Sequence, residues 1–189
     1  MPPKSRISRQ MILSASIEVV RTKGLQNLNV RAVATELNCS TQPIMYHFAT
    51  MDELKTEIFD IIAEKHFAEL LSLDIFEAED PCLELSRKYI RFSVAEPNLF
   101  RFLYQSDRFS ADRLDASWEQ PQLVAFLAAL AQKYDLSPGV AKNAFICLLL
   151  SAHGFASFLA NNTISYNGAQ METYLNTVQK GCIATLKEG

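Results

Sequence analysis

The sequence predicts an all-α protein. Only 6 glycines and 7 prolines occur among the 189 residues, and alternating apolar and polar runs closed by turn pairs such as Asn-Gly are nearly absent. Apolar residues recur instead at the spacing of amphipathic helices, and the hydrophobic share of 49% is ample for a core. We therefore expect a globular helical chain, either one ordinary domain or a small domain that shares a helix with a larger one.

The first helix is predicted between two well-marked ends. Ser8 is a suitable N-cap, and Gly24 follows Lys23 at the place where a helix C-terminus favours glycine. Between these ends, small and apolar residues repeat every three and four positions and form one face: Ile12, Ala15, Ser16, Val19 and Val20. Such a face needs packing partners elsewhere in the chain.

A second, shorter helix is expected to begin after Asn29 as its N-cap and to end near Leu37. Its buried stripe consists of Val30, Val33, Ala34 and Leu37. Asn38 and Cys39 then form a tight turn, because asparagine tolerates the left-handed conformation that such a connection needs.

The third helix is predicted from about Thr41 to His47 or Phe48, with Ser40 as its cap and Pro43 in its first turn. Ile44 and Phe48, four residues apart, should pack inward. The outward set is then Thr41, Gln42, Met45 and Tyr46.

The remaining sequence predicts a larger helical part. A fourth helix opens at Asp52, and two further helices start at Pro81 and Pro97. The polar, aspartate-rich segment from Gln105 to Ser117 is the expected loop. The last three predicted helices run from Gln122 to Tyr134, from Val140 to Ala160 and from Gln170 to Lys187.

Charge is distributed unevenly along the chain. Residues 1–50 carry six basic and two acidic side chains, a net charge of +4, whereas residues 51–189 carry 12 basic and 19 acidic ones, a net charge of −7. A basic head on an acidic body would turn the head toward phosphate.

Three short helices with a tight turn between the second and third match a helix-turn-helix, whose last helix enters the DNA major groove. Gln42 can pair with adenine, Thr41 can touch a thymine methyl, and Tyr46 and His47 can bond phosphate oxygens. The alternative is that Tyr46 and His47 merely cover the junction with the fourth helix.

The sequence resembles the TetR family of transcriptional repressors. The resemblance lies in Asn-Val-Arg-Ala-Val-Ala at 29–34, Ser-Thr-Gln-Pro-Ile-Met-Tyr-His-Phe at 40–48 and Asp-Glu-Leu at 52–54. It implies about nine helices, a third helix that reads bases, and phosphate contacts at Tyr46 and His47. Two departures are Met45, where the family usually has a tyrosine, and Met51, where a lysine is common; Lys55 could partly substitute.

The resemblance and the residue chemistry together give a predicted DNA-binding set: Asn29, Arg31, Ser40, Thr41, Gln42, Pro43, Met45, Tyr46, His47 and Lys55. Arg31 opposes the dipole of the second helix unless phosphate compensates, and the alternative is a solvated arginine. Lys4, Arg6 and Arg9 are expected to form either an arm along the DNA backbone or a basic tail.

The resemblance further implies a helix-turn-helix DNA-binding domain at residues 1–50 and a helical effector-binding and dimerisation domain at residues 51–189. A homodimer would form through the helices from Val140 to Ala160 and from Gln170 to Lys187. Ala152, Ala156 and Ala160 lie four residues apart and could let a symmetry partner approach closely, or could pack within their own chain.

An apolar pocket for a small-molecule inducer is the second function implied. Aromatic residues could line it, or could be ordinary core, and His153 could bond the ligand or be structural. The predicted lining set is Phe92, Phe102, Tyr104, Trp118, Phe126, Phe145 and His153.

No enzyme motif is present in the sequence, neither a glycine-rich phosphate loop nor a G-x-S-x-G. The four cysteines are widely spaced, which predicts buried thiols with neither disulfide nor metal site, and no cofactor is expected. The longest apolar stretch, residues 144–150, is too short to span a bilayer, so we expect a cytoplasmic protein. The alternative to a repressor released from its palindromic operator by an inducer is a helical ligand-binding dimer that does not bind DNA.

Overall fold

The structure is all-α over the residues that it describes, as predicted. It is a computed structural model that describes residues 7–188, with side chains as far as Thr185, and it contains no strand in that range. A 3-10 turn, Leu25–Asn27, lies between the first two helices. The helices are α1 Arg9–Lys23, α2 Val30–Glu36, α3 Gln42–His47, α4 Met51–Leu71, α5 Pro81–Ala95, α6 Pro97–Tyr104, α7 Ala111–Trp118, α8 Pro121–Tyr134, α9 Pro138–Ala160 and α10 Gly168–Glu188.

The chain divides into two compact units. One comprises Met1–Lys65 with Asn98–Arg108, and the other comprises His66–Pro97 with Phe109–Gly189. Helix α6 therefore belongs to the same unit as the N-terminal helices. The boundary expected between residues 50 and 51 is a functional division, and it stays a prediction.

Capping side chains fix the starts of α1 and α2 at the residues predicted. The Ser8 hydroxyl accepts a hydrogen bond from the Met11 N–H at 3.2 Å, and the Asn29 carboxamide oxygen accepts one from the Ala32 N–H at 3.0 Å. Gly24 ends α1 with a φ of 82°, which favours glycine. All five residues of the predicted α1 face are buried.

The turn between α2 and α3 confirms one prediction and corrects another. Asn38 has a φ of 49°, as expected. The predicted Ser40 cap is wrong, because the N-cap is Thr41, whose side chain makes no capping bond. A cap at Ser40 would put Pro43 at the third helical position, where a capping side chain accepts from an N–H that proline lacks.

Helix α7 replaces much of the loop expected from Gln105 to Ser117. Ser110 caps it by accepting a hydrogen bond from the Arg113 N–H at 3.4 Å, and Asp112 lies in its first turn, where the helix dipole favours a negative charge. None of its residues is buried. A helix without a buried face lacks the apolar periodicity from which helices are predicted, which is why it looked like a loop.

Helix α9 is central in the second unit, where it packs against α5, α8 and α10. Its inward face is formed by Ala141, Phe145, Leu148, Ala152, Ala156 and Ala160, all buried within the single chain. The alanine stripe therefore packs inside its own chain, which is the second of the two alternatives that the sequence left open. Small side chains here allow neighbouring helices of the same unit to approach.

Asp80 joins three helices of the second unit. Its carboxylate caps α5 at the Leu83 N–H, 3.1 Å away, and accepts hydrogen bonds from the Tyr134 hydroxyl and from the Gln179 amide, each at 2.9 Å. Burial raises the pKa of Tyr134, and Cys82 and Asp80 raise it further. Arg87 on α5 and Glu172 on α10 add an ion pair with two hydrogen bonds.

Helix α9 is also the one described helix with the length and apolar composition needed to cross a membrane. At 23 residues it extends well beyond the apolar stretch at 144–150 considered in the sequence. Its buried face packs against α5, α8 and α10, as the face of a core helix does. A core helix can have the same length and apolar composition as a membrane-spanning one.

Candidate functional site

Helix α3 presents polar and flexible side chains on a buried apolar base. Ile44 on its inner face is 1% exposed, and Phe48, directly after the helix, is also buried. Tyr46 is 77% exposed, and Thr41, Gln42 and Met45 are exposed beside it. The inward and outward sets are those predicted from the sequence.

His47 differs from its neighbours because it is half-buried and bonded to the chain. Its Nε2 donates a hydrogen bond to the Ile7 carbonyl at 3.2 Å, and its ring meets Tyr46 edge-on at 5.2 Å between centroids. One ring nitrogen is thus committed to the segment before α1, and the other nitrogen is the one that could meet a phosphate.

The predicted residues at the start of α2 divide into a positioning group and an exposed charge. The Asn29 amide caps α2 through its oxygen and donates through its nitrogen to the Asn27 carbonyl at 3.1 Å. Arg31 is exposed in the first turn of α2. Arg31 can reach an external anion, whereas Asn29 holds the local backbone.

Arg9 is engaged within the first unit rather than extended as an arm. It forms ion pairs with Glu57 and with Glu53, and its guanidinium lies 4.5 Å from the centre of the Phe48 ring. These contacts tie the start of α1 to α4. Lys4 and Arg6 lie outside the described residues.

The start of α4 carries two predicted features and one contact that sequence reasoning missed. Lys55 and Met51 are both half-buried. Arg108, which follows α6, forms an ion pair with Asp52 and donates a hydrogen bond to the Thr56 hydroxyl at 2.7 Å. The hydrogen bond from Arg108 lowers the pKa of Asp52.

The other end of α6 is bonded to α1. The Asn98 amide nitrogen donates to the Arg21 carbonyl at 2.8 Å, and Arg101 donates to the Asn98 side-chain oxygen at 2.7 Å. Helix α6 is thus held at both ends by the helices that carry and follow the helix-turn-helix. No sequence pattern predicts these contacts, because the two residues of each contact are far apart along the chain.

The aromatic residues predicted to line one pocket lie in several separate clusters. In the first unit, Phe102 meets Phe59 edge-on with ring centroids 5.7 Å apart, and the ring centroids of Tyr104 and Phe100 are 5.0 Å apart. In the second unit, Phe145 lies edge-on to the rings of two other predicted residues, with ring centroids 5.8 Å apart for Phe126 and 6.3 Å apart for Trp118.

A pair of histidines belongs to a further cluster in the second unit. The Tyr89 hydroxyl is hydrogen-bonded to His153 Nδ1 at 2.8 Å, and His66 stacks on Phe92 at 3.9 Å between ring centroids. Burial lowers the pKa of His153 and lowers that of His66 to about 4, so both rings are neutral at pH 7. His66 is not among the predicted residues, although it lies four residues after the buried Ile62 on α4.

The space next to these clusters is small. A cavity of about 10 Å³ beside Phe145 has room for about one water, and Phe145 is the only predicted lining residue that borders it. Among the residues that the structure describes, no group of three His, Cys, Asp or Glu side chains could hold a metal ion.

Comparison with family models gives a match over the second half of the chain. The family model described as the tetracyclin repressor-like C-terminal domain matches residues 82–177. A comparison with curated proteins finds no match.

Solved structures share the fold over nearly the whole chain. A putative TetR-family regulator from Vibrio parahaemolyticus is 14% identical, with a TM-score of 0.64 over 91% of this chain and 96% of its own. A TetR-family regulator from Haemophilus influenzae is 19% identical, with a TM-score of 0.63 over 90% of this chain and 93% of its own. A TetR-family member from Streptomyces coelicolor is 22% identical, with a TM-score of 0.59 over 90% and 96%. The family model covers half of the chain, and so this chain belongs to the tetracycline repressor (TetR) family of transcriptional regulators.

Proposed function

We propose that this protein is a homodimeric repressor that binds a palindromic operator in double-stranded DNA and is released from it by a small-molecule inducer. The observation that carries the proposal is the outward set of α3, Thr41, Gln42, Met45 and Tyr46, held on the buried Ile44 and Phe48. A rigid apolar base beneath exposed hydrogen-bonding side chains is what a recognition helix requires.

Within the proposed interface, base reading falls to Gln42 and Thr41. Tyr46, Arg31 and Lys55 would contact phosphate. The other members of the predicted set have supporting places in it: Asn29, Ser40, Pro43, Met45 and His47. Asn29 acts through the cap of α2, since its amide is occupied by backbone groups.

The proposed dimer uses the outer faces of α9 and α10. The alanine stripe is buried within the chain, but Leu150 is 66% exposed and Phe158 is 54% exposed on α9. A partner that covers this face would remove both side chains from water. A two-fold dimer would place two copies of α3 in successive major grooves.

The proposed inducer is a small apolar or amphipathic molecule, and no cofactor is involved. The residues assigned to it are those in the second unit: Phe92, Trp118, Phe126, Phe145 and His153. Phe102 and Tyr104, which pack against Phe59 and Phe100 in the first unit, are not assigned to this site. The neutral His153 and Tyr89 offer hydrogen bonds in otherwise apolar surroundings, which suits a largely uncharged ligand.

Release would be a population shift between two dimer conformations. In one of these conformations the recognition helices are wrongly spaced for the operator, and an inducer that binds this conformation better shifts the population toward it. DNA affinity then falls about tenfold for each 1.4 kcal/mol by which the inducer prefers that conformation. A regulator of this kind works beside the chromosome, and we place the protein in the cytoplasm and assign it no enzymatic activity.

Titration of the full-length protein with the region upstream of its own gene tests the proposal. We expect specific binding that weakens steeply between 50 and 200 mM salt, because phosphate contacts release counterions. The alternative function, a helical ligand-binding dimer without DNA binding, predicts that neither this DNA nor any other is bound at low salt.

A further inference from the structure

Helices α9 and α10 pack against each other in an antiparallel arrangement with a defined register. Near one end, Phe155 of α9 stacks on Tyr174 of α10 with ring centroids 5.6 Å apart and planes 19° apart. Near the other end, Leu148 of α9 lines the same small cavity as Gln179 and Ile183 of α10. Residues nearer the C-terminus of α10 therefore face residues nearer the N-terminus of α9.

This register brings two cysteines to the same level. Cys147 lies eight residues before Phe155, and Cys182 lies eight residues after Tyr174. Cys147 is close enough to Cys182 to raise the pKa of its thiol. Both thiols are free and half-buried rather than enclosed.

We propose that Cys147 and Cys182 form a peroxide-reactive thiol pair that closes to a disulfide within one chain. A disulfide requires an S–S bond of about 2.05 Å and Cα atoms about 4.4–6.8 Å apart, which two closely packed helices can supply at matching levels. The sequence predicts buried thiols without a disulfide, but only Cys82 is buried, and the proposed pairing departs from that expectation as well. It stands independently of DNA binding, because it rests on contacts between α9 and α10.

The reaction uses a hydroperoxide as the two-electron oxidant. The Cys147 thiolate attacks one oxygen of hydrogen peroxide and the O–O bond breaks. A sulfenic acid forms, and the departing hydroxide takes up the proton that the Cys147 thiol released and leaves as one water. The Cys182 sulfur then attacks the Cys147 sulfur, the S–S bond forms, and the hydroxyl leaves with the Cys182 proton as a second water. Two thiols are oxidised to one disulfide while the peroxide is reduced to water.

The order of the two steps follows from the surroundings of Cys182. Burial raises the pKa of Cys182, and the neighbouring Cys147 raises it further, so that Cys182 forms a thiolate less readily than an ordinary cysteine. The thiolate is the nucleophile in thiol chemistry. We therefore assign the first attack to Cys147 and the resolving step to Cys182.

The other two cysteines serve as internal references. Cys82 is buried, and burial raises its pKa to about 12, which makes it unreactive. Cys39 lies in the turn between α2 and α3, where its thiol donates to the Ser40 carbonyl at 3.2 Å.

The test is to treat the reduced full-length protein with a small excess of hydrogen peroxide, alkylate the remaining thiols and digest with trypsin. Cleavage after Lys142 and Lys180 places Cys147 in the peptide 143–180 and Cys182 in the peptide 181–187. We expect these two peptides linked, in a protein that migrates as a monomer on a non-reducing denaturing gel. Free thiols at both positions, or a link that migrates as a covalent dimer, would overturn the proposal.

Two further measurements keep the test independent of any one variant. Cys182→Ser should accumulate a dimedone-reactive sulfenic acid at Cys147, whereas Cys147→Ser should leave Cys182 unlabelled, and the reverse pattern contradicts the assignment. In the wild type, the oxidised form should have a Tm about 5 °C higher than the reduced form, because the bond closes a long loop in the unfolded chain. Dithiothreitol should reverse that shift, and an unchanged Tm would count against a disulfide in this position.

Discussion

Arg108 donates a hydrogen bond from its guanidinium to the Thr56 hydroxyl at 2.7 Å, which fastens the end of α6 to the first turns of α4. The same guanidinium pairs with Asp52. At the other end of α6, Asn98 donates to the Arg21 carbonyl of α1. These bonds explain why Asn98–Arg108 forms one unit with helices far earlier in the chain.

The Arg108–Thr56 contact predicts a measurable coupling in a double-mutant cycle. Arg108→Ala and Thr56→Val should each destabilise the protein, and together they should cost less than the sum by about 1 kcal/mol, because a shared hydrogen bond is lost only once. Denaturant unfolding of the two single variants and the double variant measures this. Additive losses would mean that the two side chains do not interact in solution.

The outward face of α3 predicts two distinguishable effects on DNA binding. Gln42→Ala should relax preference at one operator base pair, a loss of about 1–3 kcal/mol of discrimination, while Tyr46→Phe should weaken binding to all sequences alike. Competition binding against single-base operator variants separates these outcomes. Gln132→Ala, an exposed glutamine on α8, is the matched control and should change neither.

The N-terminal helices α1, α2 and α3 were largely predictable, because the residues that define their ends and faces act on neighbouring parts of the chain. Ser8 and Asn29 cap their helices by accepting hydrogen bonds from backbone N–H groups three residues later. Asn38 itself adopts the left-handed conformation of the turn. The residue types at these positions therefore indicate the helix ends and the turn. The inward Ile44 and the outward Tyr46 follow from helical periodicity alone. Local chemistry and tertiary packing agree in this region.

The body was predicted less completely because its decisive contacts are non-local. Nothing near Ala156 indicates that its stripe packs against helices of its own chain rather than a second copy, since small residues serve both purposes. Arg108 and Thr56 lie on separate elements, and neither residue type announces the other. The pairing of Cys147 with Cys182 likewise depends on how α9 and α10 pack.

The proposed dimer surface predicts a change in oligomeric state on adding a charge. Leu150→Glu should shift the protein toward monomer, because a carboxylate would lose its hydration in an apolar interface. Sedimentation velocity at micromolar concentration measures the shift, and circular dichroism checks the fold. Val124→Glu, at an exposed position of α8, is the control and should leave the association unchanged. Equal behaviour of the two variants would place the interface elsewhere.

The buried His66 predicts a loss of stability in mild acid. Burial lowers its folded-state pKa to about 4, below the ordinary histidine value of 6.5. The unfolded chain therefore binds the extra proton between these values, and stability present above pH 6.5 is lost as the pH falls toward 4. Between pH 7 and pH 5 the free energy of unfolding should fall by about 2 kcal/mol through His66 alone.

His66→Phe isolates this contribution, because phenylalanine can keep the stack on Phe92 but does not titrate. The variant should lose less stability than the wild type between pH 7 and pH 5, measured by denaturant unfolding at both. His153, whose pKa burial also lowers, remains in both proteins and cancels in the comparison. Parallel pH profiles would show that His66 takes up its proton as easily in the folded protein as in the unfolded chain.

Met51 occupies a position where the family commonly has lysine, and it is the first residue of α4. Met51→Lys should add about one phosphate contact, which steepens the slope of log K against log salt by about 0.9 and raises affinity at low salt for every DNA sequence alike. Its half-buried side chain leaves room for a longer stem with its charge in solvent. Val94→Lys adds the same charge at an exposed site on α5 and should leave the slope unchanged. If both variants steepened it equally, the gain would reflect net charge rather than a contact at the start of α4.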